Sequence, residues 1–343
     1  MKELVLGKTG IKTPQNAFGA LPIQRVSKDE AVKILHKALD GGMTYYDTAR
    51  AYTDSEEKLG LAFADRRDKV TIATKTGGKT GKEVREHLDT SLRMLKTDHI
   101  DLYQLHMVGQ CYKPGDGTGV YEALEEAKRE GKILHIGVTA HLIEVAFECV
   151  RSGLYETMQY PFSYLSIQKE FDLVKEVLDN NMGFIAMKSL AGGLITDSRA
   201  AMAFVNEHEG VLPIWGIQKE SELDEWLSYM HNTPEMDDEI RATIEKDRKE
   251  LSGDFCRGCG YCMATCPMEL QISTCARMGL MLRRAPSQTW LSEYWQEEMK
   301  KTENCIECGV CTTKCPYGLE TPRLLRENRE DYYRVLAGEV KVQ

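Results

Sequence analysis

Residues 45–60 read YYDTARAYTDSEEKLG. A short apolar run, 43–46, leads into Asp47, and Tyr52 follows five residues later. Runs of this kind, rich in β-formers and bounded by polar residues, read as strands buried on both faces. Seven more recur, at 16–20, 70–74, 100–106, 133–138, 157–160, 184–187 and 212–215. Segments with helical period separate them. In GKEVREHLDTSLRMLK, residues 81–96, Val84, Leu88, Leu92 and Leu95 fall on one stripe. Strand–helix alternation predicts an α/β protein whose parallel sheet is covered by helices. Eight such units in about 230 residues favour a closed (β/α)8 TIM barrel over an open doubly wound sheet. No G-x-G-x-x-G follows a strand, which counts against an open dinucleotide-binding sheet.

In such a barrel the C-terminal strand ends line the active site. Asp47 and Tyr52 stand at the end of the second strand, Lys75 of ATK at the end of the third, and His106 of YQLH at the end of the fourth. Taken singly, these residues have ordinary alternatives: a rim aromatic, a solvated charge, a core histidine. Three successive strands that deliver all four to one mouth point to chemistry. A phenol is a weak acid. A neighbouring ammonium favours its phenolate, and an aspartate holds the ammonium in place. His106 would orient a carbonyl oxygen, and Tyr52 would protonate it as hydride reaches the carbon.

The end of the chain differs. CRGCGYCMATCP, residues 256–267, and CIECGVCTTKCP, residues 305–316, hold eight of the 11 cysteines. Each is C-x2-C-x2-C-x3-C-P, tighter than usual zinc spacings and matching the bacterial iron–sulfur pattern. In two-cluster proteins the fourth cysteine of each run serves the other cluster. That rule assigns Cys256, Cys259, Cys262 and Cys315 to one [4Fe–4S] cluster, and Cys305, Cys308, Cys311 and Cys266 to a second. Gly258, Gly260 and Gly309 suit a chain wrapped tightly around a cube. Cys111, Cys149 and Cys275 read as buried apolar cysteines. The 38 residues between Cys266 and Cys305 read as two helices broken near 285–286, which suggests a small, mostly α-helical ferredoxin-like domain. The expected boundaries are a barrel over 1–235, a charged helical linker over 236–253, and the cluster domain with its helical tail over 254–343.

Composition narrows the partners. Of 343 residues, 42% are hydrophobic and 28% charged, and the net charge of -9 argues against a nucleic-acid partner. No stretch approaches the ~18 apolar residues of a membrane span, and MKELVLGKTG lacks a signal-peptide core. A cytoplasmic protein with no membrane partner is the expectation. Thiols there stay reduced, so cysteines in such number suggest metal rather than disulfides.

The pattern D-T-A-x-x-Y followed by S-E-x-x-L-G, residues 47–52 and 55–60, resembles the aldo-keto reductase family, over roughly residues 1–232. The resemblance implies a barrel that binds NADPH or NADH and acts on a small-molecule carbonyl or alcohol. Carried over by position, Gly19 and Ala20 lie beneath the nicotinamide, beside Asp47, and Thr139 and Gln159 hold its carboxamide. Met187 stands where an aromatic is usual, and Lys188 where a serine is usual near the pyrophosphate. WGIQKESELDEW supplies a phosphate loop with Gly216, Gln218, Lys219, Glu222 and Glu225. Ala140 and Trp226 replace asparagines that hold the carboxamide and approach the adenine. Lys219 favours the 2'-phosphate of NADPH as a point charge; Glu220 and Glu222 oppose it. A sub-group with C-terminal cysteine runs is similar from end to end. Hydride moves two electrons and a cluster takes one. Flavins mediate between such steps, and no flavin fingerprint is visible. Three roles for the clusters therefore stay open: structure, sensing in a regulatory protein, or passing electrons between an external carrier, such as a ferredoxin or flavoprotein, and a flavin or substrate radical in the barrel.

Overall fold

The computed structural model describes residues 1–343 apart from 252–254, 259, 285–286, 316 and 343. The chain divides into two compact units. One comprises Met1–Ser189 with Met202–Met236, and the other Leu190–Ala201 with Asp237–Gln343.

The first unit opens with an antiparallel pair, β1 (Glu3–Val5) and β2 (Lys12–Pro14), which the sequence reading did not foresee. Then come β3 (Ala17–Gly19), α1 (Lys28–Asp40), β4 (Tyr45–Asp47), α2 (Ser55–Phe63), β5 (Thr71–Thr76), α3 (Gly81–Leu95), β6 (Ile100–Leu105) and α4 (Val120–Arg129). The series continues with β7 (Ile133–Thr139), α5 (Ile143–Arg151), β8 (Thr157–Pro161), α6 (Gln168–Asp179), β9 (Gly183–Met187), α7 (Ser198–Asn206, of which the residues up to Ala201 are counted in the second unit), β10 (Val211–Gly216) and α8 (Glu220–His231). Strands β3 to β10 form a closed parallel barrel, β10 pairing with β3. All eight expected barrel strands are present, displaced at their ends by one or two residues. Leu4 and Leu6 pack with Ala17, Tyr45, Ala73, Leu102, Ile185, Leu212 and Ile214 in the barrel interior. The N-terminal segment thus packs at the N-terminal end of the barrel strands. Tyr45 lies in that cluster, and Phe162 and Trp215 are also buried, whereas Met107 is exposed.

Helix α3 shows how local sequence sets an element. Thr80 Oγ1 accepts from the Glu83 amide at 3.3 Å, and the Glu83 carboxylate accepts from the Thr80 amide at 3.2 Å, a reciprocal cap. Val84, Leu88 and Leu95 are buried along the predicted stripe. Lys96, at φ 52°, ends the helix in the left-handed conformation. Gly60 on α2 has a separate reason. A Cβ there would lie 2.2 Å from the Met94 carbonyl oxygen, so α2 meets the end of α3 backbone to backbone.

The second unit is helical. Its helices are α9 (Asp238–Glu250), α10 (Ile272–Cys275), α11 (Met278–Arg284), α12 (Ser287–Trp290), α13 (Glu293–Lys301), α14 (Val310–Thr313) and α15 (Thr321–Leu336). Helix α9 is the charged helix expected in the linker; Asp237 caps it by accepting from the Ile240 amide at 2.7 Å. Among the described residues, four short α-helices stand between the cysteine runs where two were expected. Ser292, in extended backbone at ψ 157°, separates α12 from α13. The other expected break, at 285–286, lies outside the described residues. Helix α15 holds these pieces. Asn328 accepts from the Gly279 amide at 2.7 Å and donates to the Ala276 carbonyl at 3.2 Å. Tyr332 donates to the Trp290 carbonyl at 2.8 Å, and Asp331 pairs with Arg283 at 2.6 Å. No helix among the described residues is long and apolar enough to cross a membrane.

Candidate functional site

The stretch after β4 is tied down residue by residue. Thr48 Oγ1 donates to Ser55 Oγ, and Ser55 donates to the Ala20 carbonyl, both at 2.8 Å. The buried Glu56 carboxylate pairs with Arg50 and accepts from Thr74 Oγ1 at 2.7 Å. Lys58, also buried, donates to the Val26 carbonyl at 2.7 Å and the Ile23 carbonyl at 3.1 Å. These bonds fix the loop that carries Tyr52. Tyr52 lies on that loop rather than on the strand, since β4 ends at Asp47.

Lys75, on β5, is fully enclosed. Its ammonium pairs with Asp47 and donates to the Thr48 carbonyl at 2.7 Å. It lies 5.4 Å from the centroid of the Tyr52 ring. His106 follows β6 directly, and its ring meets that of Tyr52 edge-on, with centroids 5.7 Å apart. All four expected residues are therefore brought together. A fifth was missed: Gln104 donates through Nε2 to the second Asp47 oxygen at 3.2 Å. It sits two residues before His106, and strand alternation puts both on the inner face. That spacing was the available signal.

The electrostatics correct one expectation. Burial raises the Tyr52 phenol above its ordinary value; Lys75 pulls it back and Asp47 pushes it further up. Burial therefore outweighs the ammonium, and the phenol keeps its proton. Burial also raises the Asp47 carboxyl, against the Lys75 ammonium and the amides of Gln104 and Gln159. His106 is lowered to about 3, first by burial and then by Lys75, so its imidazole is neutral near pH 7. A neutral imidazole beside a protonated phenol can hold and protonate a carbonyl oxygen.

In the second unit Cys266, Cys305, Cys308 and Cys311 line one concavity with Pro267, Met268 and Ile272. These are the four cysteines assigned together to the second cluster. Of the other set, Cys256 and Cys262 are buried, Cys315 is partly exposed, and Cys259 lies outside the described residues. The Arg257 guanidinium lies 5.6 Å from the Tyr317 ring centroid, which places the first run beside the segment following Cys315. The two runs share a backbone pattern. Gly258 and Glu307 have φ of 68° and 51°, and Gly260 and Gly309 have 84° and 71°. Glu307 shows that the third position does not demand glycine. Among the described residues no three His, Cys, Asp or Glu side chains converge on a single-ion site. Cys111, Cys149 and Cys275 are buried, as expected.

Residues 3–210 match the aldo/keto reductase family, and residues 255–320 match a 4Fe-4S dicluster domain. The chain belongs to the aldo-keto reductase family. An uncharacterized oxidoreductase of Bacillus subtilis is 32% identical over 227 residues, 57% of this chain and 68% of that protein. Two solved structures share the fold. An aldo-keto reductase from Bacillus halodurans in its holo form is 22% identical, with TM-score 0.63, covering 72% of this chain and 96% of that one. One from Klebsiella pneumoniae in complex with NADPH is 23% identical, with TM-score 0.59, covering 71% and 94%. This aldo-keto reductase is thus an oxidoreductase that carries a 4Fe-4S dicluster domain after its barrel.

The positions carried over for the nucleotide fall as follows. Gly19 and Gly216 end the paired strands β3 and β10, and the Ala20 amide donates to the Asp47 carbonyl at 2.8 Å. Gln159 is buried on β8, and its Oε1 has no partner among the described residues. Thr139 ends β7, and its Oγ1 accepts from the Met107 amide at 2.7 Å. Met187 and Lys188 follow one another at the end of β9, Lys188 with φ 55°. Lys219 and Glu225 are exposed at the start and on the outer face of α8. The Glu222 carboxylate accepts from the Gln218 and Lys219 amides at 2.9 and 3.1 Å, so it caps α8. Glu220 pairs with Lys37 at 2.6 Å, which turns one opposing carboxylate away from Lys219. Arg25, which the sequence reading missed, donates to Gln218 Oε1 at 3.4 Å and adds a second cation to this loop. Trp226 is buried and stacks on Trp215 with centroids 3.9 Å apart, so the residue replacing an asparagine serves the core.

Proposed function

We propose that the barrel reduces the carbonyl of a small molecule with NADPH, and that the dicluster domain holds two [4Fe–4S] clusters. The observation that carries the first part is the meeting of Tyr52, Lys75, Asp47 and His106 at one mouth. NADPH, when bound, supplies the hydride. Neutral His106 hydrogen-bonds the carbonyl oxygen, and Tyr52 gives it a proton. Lys75 stands beside the phenolate that results, and Asp47 and Gln104 keep Lys75 from moving. The unpartnered Gln159 Oε1 fits a carboxamide N–H, an observation that favours a nicotinamide at this place. Anaerobic turnover of NADPH with a panel of aldehydes, ketones and sugars tests the reading. No turnover with any of them would count against it.

Lys219 and Arg25 favour NADPH over NADH. In Lys219→Ala, NADPH affinity should fall roughly tenfold or more, the value of one charge-assisted contact. NADH affinity should barely change, and the NADPH effect should shrink as salt rises. Titration calorimetry at two ionic strengths checks both. Equal losses for the two nucleotides would place Lys219 at the pyrophosphate instead.

Cys266 grouped with the second run is what supports two cubanes with an exchanged fourth ligand. Each cluster, when bound, takes and gives one electron. Anaerobic protein should contain about eight iron and eight sulfide per chain; about two zinc with negligible sulfide would refute the assignment. Cys308 is exposed, and Ile306 beside it is 61% exposed. That rim favours electron exchange with a partner such as a ferredoxin or flavoprotein over a purely structural role.

A further inference from the structure

Arg277 lies between α10 and α11 in the second unit. Its guanidinium Nε and Nη1 are buried and have no hydrogen-bond partner among the described residues. The place it fills is defined by two glycines at positive φ. A Cβ at Gly192 would lie 2.8 Å from Nη1, and one at Gly258 would lie 3.0 Å from Nη1 and 3.1 Å from Cζ. Gly258 is inside the first cysteine run, between Cys256 and Cys259. A guanidinium brings five N–H donors and a charge that it does not give up. Burying such a group with its donors unmet is costly unless something negative comes to it.

The two runs differ in this respect. The concavity of the second run is walled by Pro267, Met268, Leu270, Ile272, Val310 and Leu325, without a buried cation among its lining residues. At the position equivalent to Gly258 the second run has Glu307, whose carboxylate pairs with Arg326 at the surface. Among the described residues lining or touching these two loops, the cation with buried, unpartnered donors belongs to the first run.

We propose that Arg277 is the charge partner of the cluster held by the first cysteine run, raising its reduction potential. The inference rests on the two-cluster reading above. Four thiolates around a cubane make a net anion, and reduction adds one electron without removing a ligand. A fixed cation and N–H donors aimed at the sulfurs stabilise the added charge, and both are established ways in which a protein tunes such a centre.

The test uses the full chain, purified anaerobically. Iron and sulfide are counted first on the wild type. A count near zero sulfide ends the two-cluster reading itself, separately from this inference. With that count met, dithionite titrations followed by electron paramagnetic resonance give the two couples. One charge facing one added electron across a poorly screened interior shifts an equilibrium by about tenfold or more. In Arg277→Gln the reduction equilibrium of one couple should fall by about that factor, about 59 mV for a one-electron step. The other couple should stay in place. The couple that moves should be the one lost in Cys262→Ser, and Arg277→Lys should stay close to wild type. Loss of half the iron in Arg277→Gln with full loading in Arg277→Lys would also support a requirement for charge. Unmoved couples in a fully loaded Arg277→Gln would overturn the proposal. So would Arg277→Lys behaving as Arg277→Gln does, in potential or in loading, because shape and not charge would then be at issue.

Discussion

Tyr52→Phe should lower turnover by roughly 10²–10⁴-fold while leaving nucleotide affinity nearly unchanged, which is the usual value of a positioned general acid. The change removes one oxygen from a ring whose surroundings stay intact. The loop is held by Ser55, Glu56 and Lys58 and not by the phenol. Single-turnover kinetics and a nucleotide titration on the same preparation separate the two quantities. The pH dependence is a second readout. Burial holds Tyr52 above its ordinary value, and His106 lies near 3. Neither group therefore changes its protonation between about pH 5 and 9, given a phenol reference of about 10. The rate of the chemical step in the wild type should be flat across that range. Wild-type-like chemistry in Tyr52→Phe, or a limb near an ordinary histidine value, would remove these residues from the roles given to them.

Lys75→Met should cost both activity and stability. The Asp47 carboxylate would remain buried without its ammonium, and leaving one member of a buried ion pair alone costs about 3–5 kcal/mol. The sign of its pH dependence follows. Without Lys75 the folded-state carboxyl titrates still higher, while the unfolded one stays near 3.9. Below that value both states are protonated and the deficit is small. It grows as pH rises, because the unfolded chain then releases a proton that the folded one retains. Urea unfolding of the variant at pH 4 and pH 8 should show this. Adding Asp47→Asn should recover much of the stability and none of the activity. A Lys75→Met protein as stable as wild type at pH 8 would mean that the pair is not the buried unit described.

The barrel was legible because its cue repeats. Eight apolar runs alternate with amphipathic helices, and errors of one or two residues at strand ends do not alter that period. Tyr52 was read at the end of the second strand, and it stands on the loop that follows that strand. The β1–β2 pair was missed for a different reason: three-residue strands are too short to show alternation. Gln104 was passed over because an amide inside a strand reads as an isolated polar residue until its partner, Asp47, is seen two strands away on β4. The direction of the Tyr52 shift was misjudged because a sequence names the nearby ammonium but not the depth of burial that opposes it. In the second unit the cysteine spacing carried the reading. The helix count between the runs failed because one-turn helices leave almost no periodic signal. The pairing of Cys266 with the second run agrees with a rule about spacing, while the place of Arg277 had no sequence cue.

The central claim is that the barrel itself moves a hydride, with Tyr52 supplying the proton. NADPH carrying deuterium on the reactive nicotinamide carbon tests it directly, with whichever carbonyl of the panel is turned over by the anaerobic protein. The account predicts deuterium on the carbinol carbon of the product, and the same outcome in Cys308→Ser, whose second cluster lacks a ligand. Product that carries no deuterium from the nucleotide, formed only while both clusters are intact, would contradict it.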